Sequence, residues 1–344
     1  MNPIMMSIII SSLALGTIIT MSSHHWLLAW VGLELNTLAI IPIIAKQHHP
    51  RATEATTKYF LTQAAASATI LFASTINAWT SGSWDISQLT NPPACTLLTM
   101  ALSMKLGLAP LHFWLPEVLQ GTQLKTALII VTWQKLAPLA LLYLTQNSLS
   151  TTTLLLMGLL STLTGGWGGL NQTQTRKIMA FSSIAHLGWM ATILTLAPNI
   201  MLLNLTLYIL MTTPMLLLLM TTSAKTIQDL TTMWAISPTM SASALTLLMS
   251  LAGLPPFAGF MPKWLILQEL TTHSLCTIAT MLALSALLSL FFYLRLSYIS
   301  ALTLALSPTQ NSHKWRFKLN MTTTPMITTI TLSTLLLPVT PLLI

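Results

Sequence analysis

The chain has 344 residues, of which 53% are hydrophobic and only 6% are charged. Fourteen Lys and Arg residues against six Asp and Glu residues give a net charge of +8. Because long apolar runs leave no room for a soluble domain, this composition excludes a soluble enzyme and indicates a polytopic membrane protein. The basic residues lie scattered at the ends of apolar segments without forming a groove, so we expect no nucleic-acid partner.

Apolar segments of about 20 residues follow one another along the chain, and each is long enough as a helix to cross a hydrocarbon core of roughly 30 Å. We therefore predict an all-α fold with about eleven transmembrane helices. The fourth and ninth are too long and too rich in proline to be straight rods. The predicted spans are 3–22, 25–45, 57–79, 94–120, 125–145, 149–170, 174–197, 199–222, 238–272, 274–300 and 322–342.

The distribution of basic residues predicts the orientation of these spans. Lys and Arg residues flank the even-numbered connections, whereas the odd-numbered connections carry none outside Lys263. The N-terminus and the even connections are therefore predicted on the positive-inside face, with the C-terminus on the opposite face. The residues that carry this asymmetry are Lys46, Arg51, Lys58, Lys125, Arg176, Lys177, Lys225, Arg295, Lys314, Arg316 and Lys318.

Prolines interrupt the fourth and the ninth span. Pro110 lies in the segment 105–117, and Pro255 and Pro256 lie in the segment 253–263. Proline lacks a backbone donor and clashes with the preceding helical turn, so each helix must kink or open there. Lipid cannot satisfy the freed backbone groups, and each break is therefore expected to face protein or a hydrated cavity.

The two broken spans lie five spans apart. Because five is odd, equivalent helices in the two halves would cross the membrane in opposite directions, which predicts inverted five-helix repeats. This arrangement pairs the helix of Glu34 with that of His186, and the helix of Lys105 with that of Lys263, although the two lysines fall on opposite sides of their prolines. We place the repeats at about 1–145 and 149–300, followed by a C-terminal helix at about 322–342, within one domain of residues 1–344.

Several ionisable residues lie in the middle of apolar spans, where an unpaired charge costs several kcal/mol. Such residues are typical of ion or proton pathways. A carboxylate at Glu34 would hold a proton on Lys105, and weakening their interaction would release it. Lys135 would then be the next station and Lys263 the exit. His186 is the natural intermediate, because histidine titrates nearest to neutral pH.

These residues also have structural interpretations. Glu34 and Lys105 could form a buried ion pair that only fixes helix packing. His112 could relay a proton or could donate a hydrogen bond to a carbonyl freed at the break. Glu117, at a helix end, could take part in transport or could simply be solvated.

Other features are assigned structural roles or none. The glycine-rich run 165–169 is interpreted as a surface for close helix packing, because no strand precedes it as a nucleotide fingerprint requires. Arg295 is expected to snorkel to the membrane interface. Two cysteines cannot hold an iron–sulfur cluster, which needs about four ligands. With no P-loop, dinucleotide or haem motif either, the chain is predicted to bind no cofactor and no metal.

The segment 105–117, KLGLAPLHFWLPE, resembles the broken-helix motif of the antiporter-like membrane subunits of respiratory complex I. The segments 116–121, PEVLQG, and 251–264, LAGLPPFAGFMPKW, are similar to one particular chain of that family. The resemblance extends along the whole chain. It implies proton translocation driven by quinone reduction elsewhere in the complex. It also implies that Glu34 and Lys105 are the coupled pair, Lys135 the central lysine and Lys263 the exit-side lysine.

The resemblance further implies a location in the mitochondrial inner membrane, with the N-terminus on the matrix side and the C-terminus on the intermembrane-space side. Expected partners are other membrane-arm subunits of complex I and inner-membrane lipids, including cardiolipin. The basic and aromatic cluster 313–318 is expected to contact such anionic headgroups. NADH, flavin, iron–sulfur clusters and ubiquinone are expected on other subunits. The chain would thus serve NADH:ubiquinone reductase without redox chemistry of its own.

Two other functions remain open at this stage. A monovalent cation/proton antiporter subunit shares the broken-helix motif. A purely structural membrane subunit could keep the same lysines for assembly alone.

Overall fold

The computed structural model describes residues 3–46, 49–302 and 324–335, and over these residues the fold is all-helical without a β-strand. The cluster 313–318 lies outside the described residues. The helices are α1 (Pro3–Ser22), α2 (Trp26–Ala45), α3 (Pro50–Ser81), α4 (Pro92–Leu106), α5 (Trp114–Gly121), α6 (Leu124–Val131), α7 (Leu136–Leu144), α8 (Thr151–Leu170), α9 (Thr175–Ile193), α10 (Pro198–Thr222), α11 (Met233–Ile236), α12 (Pro238–Ala252), α13 (Phe260–Thr272), α14 (Cys276–Leu302) and α15 (Thr324–Leu335), with 3₁₀ helices at Trp133–Lys135 and Gln228–Thr232.

Seven helices in the described part of the chain are long and apolar enough to cross a membrane, counting the segment Leu124–Leu144 as one. The helices α4, α5, α12 and α13 are too short to count because they are halves of interrupted elements. Helix α9 is less apolar because it begins with Arg176 and Lys177, but nearly all of its residues are buried. A helix that is covered by protein does not need the lipid-facing hydrophobicity of an exposed span.

The structure divides into two compact units, the first formed by the described residues up to Ser161 and by Leu194–Pro198. In this unit α2 packs against α1 and α3, and α7 contacts α1, α2 and α4. Helices α1 and α2 approach closely at two glycines, since a Cβ on Gly16 would lie 2.9 Å from the Gly32 carbonyl oxygen. Small residues at a crossing are the usual means by which membrane helices come close together.

The second unit comprises the described residues of 162–193 and 199–344. Here the glycine-rich end of α8 packs closely against its neighbours, as the sequence predicts. A Cβ on Gly165 would lie 2.7 Å from the backbone nitrogen of Ala185 in α9, and one on Gly169 would lie 2.8 Å from the ring of Phe292 in α14.

Arg295 also holds α14 to the end of α8. Its guanidinium donates hydrogen bonds to the carbonyls of Leu170 and Gln172. These carbonyls belong to the last turn of α8 and the residues after it, where a cation is favoured by the helix dipole. Arg295 thus bonds to the end of α8, and its position at the membrane interface stays a prediction.

The two interrupted elements share one backbone design. Helices α4 and α12 each begin with a proline, span 15 residues and end at a glycine in the left-handed conformation, Gly107 with φ of 82° and Gly253 with φ of 80°. Pro110 and Pro256 each follow the glycine by three residues, and the next helix begins after four more. Glycine adopts this conformation without steric cost, so it ends the helix, and the proline prevents it from resuming.

This register refines the pairing of the two broken elements. Counted from the left-handed glycines, Lys263 matches Glu117, and Lys105 matches Leu251. The two elements therefore correspond, but Lys105 and Lys263 occupy different positions within them: the first lies before its break and the second after it.

A third interruption lies where the sequence analysis expected an unbroken fifth span. Between α6 and α7 the chain forms the 3₁₀ helix Trp133–Lys135, which carries Lys135. Pro138 explains it, because this proline cannot bond to the carbonyl of Gln134 and crowds the turn before it. The lysine predicted at the centre of the relay thus lies at a local change of backbone geometry.

Candidate functional site

A small cavity in the first unit is lined by polar and apolar residues from α2, α3, α4, α5 and the segment 130–138. Its volume is about 20 Å³, counted as the space open to the centre of a water molecule. A buried water needs roughly 10–15 Å³ on that scale, so the cavity has room for one. The side chains and backbone that line it belong to Leu33, Asn36, Thr37, Tyr59, Gln63, Lys105, Leu106, Trp114, Leu115, Ile130, Gln134, Lys135, Ala137 and Pro138.

Both predicted lysines of this unit reach the cavity. Lys105 and Lys135 are each buried. The Nζ of Lys105, the side-chain nitrogen of Gln134 and both polar atoms of the Asn36 amide are buried without a hydrogen-bond partner. Each buried polar group left unsatisfied costs about 1–3 kcal/mol. Polar atoms that converge on a space large enough for water are the usual surroundings of a buried hydration site.

Glu34 lies on α2 among three residues that line the cavity, Leu33, Asn36 and Thr37. Its side chain and that of Lys105 are near enough to interact electrostatically but form no ion pair within 4.0 Å. Instead the Glu34 carboxylate accepts a hydrogen bond of 3.1 Å from the Thr37 hydroxyl one helical turn later. The interpretation of Glu34 and Lys105 as a direct packing ion pair is therefore wrong. The carboxylate is near enough to influence the charge of the lysine but does not form an ion pair with it.

At the first break the backbone and a side chain both donate to the last turn of α4, where the Met104 carbonyl accepts a hydrogen bond from the Gly107 N–H. The indole nitrogen of Trp114, the first residue of α5, donates a hydrogen bond of 3.1 Å to the carbonyl of Met104 in α4. The Trp114 ring packs edge-on against Tyr59 of α3, at 5.7 Å between ring centroids. His112 is buried within the break, stacks on Phe113 at 4.3 Å, and its Nδ1 has no hydrogen-bond partner. His112 is thus close to the cavity wall formed by Trp114, with one nitrogen still available.

At the second break the lysine itself satisfies the backbone. Lys263 in the first turn of α13 donates a hydrogen bond of 2.8 Å from Nζ to the carbonyl of Ala252, the last residue of α12. Its side chain also lies over Gly253, where a Cβ would come within 2.8 Å of Nζ. The glycine therefore both ends α12 and leaves the space that the lysine occupies.

His186 lies in the middle of α9, in the second unit. It is buried, and its ring lies 5.5 Å from the ring of Tyr208 in α10. Helix α9 also packs against α13, the helix that carries Lys263, and against α14. His186 and Lys263 are therefore on adjacent helices of one unit, as Lys105 and Lys135 are in the other.

Glu117 has a surface partner. Lys58 of α3 forms ion pairs of 2.7 Å with Glu117 and 2.5 Å with Glu54. The side chains of Lys58 and Glu117 are 41% and 52% exposed. These values favour the solvated interpretation of Glu117 over a place in the buried relay.

The sequence analysis missed the uncharged part of the site. Asn36, Gln63 and Gln134 line the cavity beside the lysines. A signal was present: each is an amide side chain within an apolar span, and Tyr59 and Gln63 have the i, i+4 spacing that places two residues on one face of a helix. Only the fold shows that these faces meet.

Two protein families match residues 23–344 of the chain. The family described as "NADH:quinone oxidoreductase/Mrp antiporter, TM" matches residues 23–289, and "NADH dehydrogenase subunit 2 C-terminus" matches residues 290–344. The chain is 60% identical to NADH-ubiquinone oxidoreductase chain 2 of Varanus timorensis over 100% of both chains. It is 58% identical to the protein of that name from Oncorhynchus mykiss, over 99% of this chain and 98% of the relative.

Solved structures show the same fold. A chain of respiratory complex I from Thermus thermophilus is 26% identical and superposes with a TM-score of 0.84 over 97% of this chain and 79% of its own length. A chain of the Mrp complex from Dietzia sp. has a TM-score of 0.82 at 16% identity, over 95% of this chain and 74% of its own. The second likeness concerns the fold alone. The full-length identity decides the assignment, and the chain belongs to the NADH-ubiquinone oxidoreductase chain 2 family, the antiporter-like membrane subunits of respiratory complex I.

Proposed function

We propose that this chain carries part of the proton translocation of respiratory complex I through a relay of Glu34, Lys105, Lys135, His186 and Lys263. The observation that carries the proposal is the cavity that Lys105 and Lys135 both line, next to the helix that carries Glu34. Family membership supplies the activity, NADH:ubiquinone reduction coupled to proton translocation. The relay residues are the part that needs testing.

In the first unit the mechanism rests on the influence of Glu34. A carboxylate near a buried lysine favours the charged ammonium, and withdrawing that charge favours release of the proton. Because Glu34 is not bonded directly to Lys105, a small movement of α2 would change their interaction without breaking an ion pair. The released proton would pass through the cavity, where Gln134 and Asn36 can orient water, and would be taken up by Lys135.

In the second unit the proton would continue through His186 to Lys263. The hydrogen bond from Lys263 to the Ala252 carbonyl holds its Nζ at the break. A lysine in this position can donate to the carbonyl in either protonation state, so it can lose a proton without giving up its anchor. We assign it the exit. His112, buried with a free Nδ1, is a further candidate for proton entry at the first break.

The proposal includes a topology of eleven spans in inverted five-helix repeats. Taking the two interrupted elements as one span each, and adding α9 and α15 to the seven long apolar helices, gives eleven. The matched register of the two breaks supports the repeat. We further propose the mitochondrial inner membrane, with the N-terminus in the matrix and the C-terminus in the intermembrane space.

The proposed partners are the other membrane-arm subunits and inner-membrane lipids, including cardiolipin. NADH, flavin, iron–sulfur clusters and ubiquinone would bind to other subunits. The energy would reach this chain as a change of charge or position at its boundary, and the chain would bind no redox cofactor.

The Lys135→Ala variant tests the relay. We expect the complex to assemble, with fewer protons pumped per electron and slower coupled quinone reduction. Pumping is measured in sealed vesicles during NADH oxidation, and assembly on a native gel stained for NADH dehydrogenase activity. Lys125→Ala is the matched control, because Lys125 is an exposed lysine at the start of α6 in the same element. A normal proton-to-electron ratio in Lys135→Ala would contradict the relay.

Two further measurements separate the two alternative functions. A cation/proton antiporter would exchange Na⁺ for H⁺ in reconstituted vesicles without an electron donor. A purely structural subunit would lose assembled complex in the variant while turnover per assembled complex stayed normal.

A further inference from the structure

The first turn of α2 is capped by a histidine side chain. His25 precedes the helix in an extended conformation, and its Nδ1 accepts a hydrogen bond of 3.2 Å from the backbone N–H of Leu27. An imidazole accepts at Nδ1 only when it is neutral and carries its proton on Nε2. The usual N-cap residues accept through an oxygen, whereas histidine is the residue that changes its charge between about pH 5 and 8. Mild acid therefore removes this cap.

A β-bridge places a carboxylate beside the same imidazole. His25 pairs with Asp85, in the connection between α3 and α4, as an antiparallel bridge. Two backbone hydrogen bonds, of 3.1 and 3.0 Å, join the residues on either side of this pair. Residues paired in this way face each other with Cα atoms about 4.5 Å apart and their side chains close together. Among the described residues no ion pair within 4.0 Å joins the two side chains, but a protonated imidazole would have the carboxylate within reach.

An indole ring also favours the charged form of His25. The ring of Trp84 is nearly parallel to that of His25, at 9° between the planes and 5.8 Å between the centroids. A cation within about 6 Å of a tryptophan ring is attracted by its negative face. At the end of α2, in contrast, a charged imidazole would meet the positive end of the helix dipole. Protonation thus weakens the contact with the helix and strengthens the contacts with the bridge.

Few other ionisable groups can act on this cap. His24 is next to it in the chain and is exposed, and Asp85 faces it across the bridge. The helices that pack against α2 are α1, α3 and α7. Helix α1 carries no ionisable side chain, residues 60–81 of α3 carry none, and Tyr143 is the one ionisable residue of α7. The response of the cap to pH is therefore governed by the two histidines and Asp85.

We propose that His25 is a pH-sensitive switch at the start of α2. When neutral, it caps the helix. When a proton from the surrounding water binds to Nδ1, the Leu27 N–H is released to water, the imidazolium pairs with Asp85, and the first turn of α2 loosens. The same helix carries Glu34 nine residues later, so the switch acts on a residue assigned to the relay. In that respect the inference rests on the proposed function.

The side of the membrane determines what the switch senses. His25 and Asp85 lie in the first and third connections, which carry no Lys or Arg. The proposed topology places these connections in the intermembrane space, where translocated protons arrive. Protons that accumulate there would loosen α2 and slow further turnover.

Hydrogen–deuterium exchange in the assembled complex tests the switch directly. Exchange in the first turn of α2 is measured by mass spectrometry at about pH 7.5 and about pH 5.5, on either side of the usual histidine titration. Dividing the intrinsic rate at each pH by the observed rate gives the protection. We expect protection of the Leu27 amide to fall roughly fivefold in acid, as for the loss of one N-cap.

Two variants change this response in different ways. His25→Asn should keep the protection at both pH values, because asparagine caps through a side-chain oxygen. Asp85→Asn should need a lower pH for the same loss, because the imidazolium no longer has a carboxylate partner.

Turnover is then measured with acid on the His25 face alone. Sealed vesicles hold the complex with this face inward, at an interior of about pH 7.5 or about pH 5.5, and the initial rate of NADH oxidation is followed at constant external pH. Acid inside opposes pumping in every variant, and the switch should slow the wild type by up to about fivefold more than His25→Asn. The matched control is His49→Asn, which should respond like the wild type. His49 caps α3 in the same way, at 3.2 Å, and lies beyond the opposite end of α2.

Each outcome decides the inference. Lower protection in acid and extra slowing, both absent in His25→Asn and both present in His49→Asn, would support it. Unchanged protection in the wild type, or an equal fall in His25→Asn, would overturn it, and the wild-type result holds even if a variant fails to assemble. Lower protection without extra slowing would overturn the regulatory role. A normal proton-to-electron ratio in Lys135→Ala would overturn the relay without changing these results, so the two proposals fail separately.

Discussion

The two interrupted elements have the same backbone geometry but differ in the side chains that donate hydrogen bonds at the break. In both, a 15-residue helix ends at a left-handed glycine, and a proline three residues later keeps the chain unwound. In the first, the Met104 carbonyl accepts hydrogen bonds from the Gly107 N–H and from the Trp114 indole. In the second, the free carbonyl of Ala252 is satisfied by Lys263. The breaks are therefore alike in geometry, while their lysines are held differently.

This difference in hydrogen bonding leaves the two lysines with different surroundings, which suit different roles. Where the backbone and an aromatic side chain donate to the helix end, Lys105 faces the cavity and is near enough to interact with the charge of Glu34. Where the lysine is the donor, it is anchored to the helix end. A free lysine can respond to its neighbours, and an anchored one can keep a fixed position. This matches the coupling role proposed for Lys105 and the exit role proposed for Lys263.

The largest expected effect is on the packing of the second break. A Cβ on Gly259 would lie 1.8 Å from the carbonyl oxygen of Ser250, so Gly259→Ala forces the backbone to move. We expect a loss of stability of about 3 kcal/mol, seen as less assembled complex on a native gel and a lower unfolding temperature. The first break has Phe113 at the same position, and this side chain is 70% exposed.

Phe113→Ala is the matched control for Gly259→Ala. We expect it to change stability by only about 0.5 kcal/mol, as for most surface substitutions. Equal destabilisation by the two changes would mean that the breaks do not differ in the way described.

A smaller effect is expected from the side chains that donate to backbone carbonyls at the two breaks. Lys263→Leu removes the side-chain donor of the Ala252 carbonyl, at about 1–3 kcal/mol. Trp114→Phe removes one of the two hydrogen bonds to the Met104 carbonyl, at about 1 kcal/mol. Lys263→Arg keeps a donor but cannot release a proton, so we expect near-normal stability with impaired pumping. Trp114→Phe should do the reverse and retain pumping per assembled complex. Thermal unfolding and vesicle pumping, measured on the same preparations, separate the two properties.

Normal pumping in Lys263→Arg would remove the exit role and leave Lys263 with a purely structural one. Loss of pumping in Trp114→Phe beyond the loss of assembled complex would mean that the indole takes part in the relay.

The smallest expected effect concerns Glu117, which matches Lys263 in register. Because its ion pair with Lys58 is half-exposed, Glu117→Gln should cost at most about 1 kcal/mol, and the cost should shrink in high salt. Pumping should stay normal. The measurement is thermal stability at low and high ionic strength. A pumping defect as large as those of the buried-lysine variants would show that Glu117 takes part in the relay.

Much of the architecture could be predicted from the sequence because it depends on residues close together in the chain. The apolar runs predicted the helices, and Pro110, Pro255 and Pro256 predicted the positions of both breaks. The glycine-rich run predicted close packing. The family motif predicted the family. In each case the signal lies within about 20 consecutive residues.

The rest depended on which helix faces meet, and no local pattern gives that. In the sequence Asn36 and Gln134 look like other polar residues, and only the fold shows that both line one cavity. The carbonyl partners of Arg295 could not be predicted, because they lie more than 120 residues away in the chain.

The central claim is that Glu34 acts through Lys105, and a double-mutant cycle tests it most directly. Glu34→Gln, Lys105→Gln and the double variant are compared by protons pumped per electron in sealed vesicles, normalised to assembled complex. If the carboxylate works by controlling the lysine proton, the two losses are not additive, and the double variant is no worse than Lys105→Gln. Losses that add in full would show that the two residues act independently and would contradict the account.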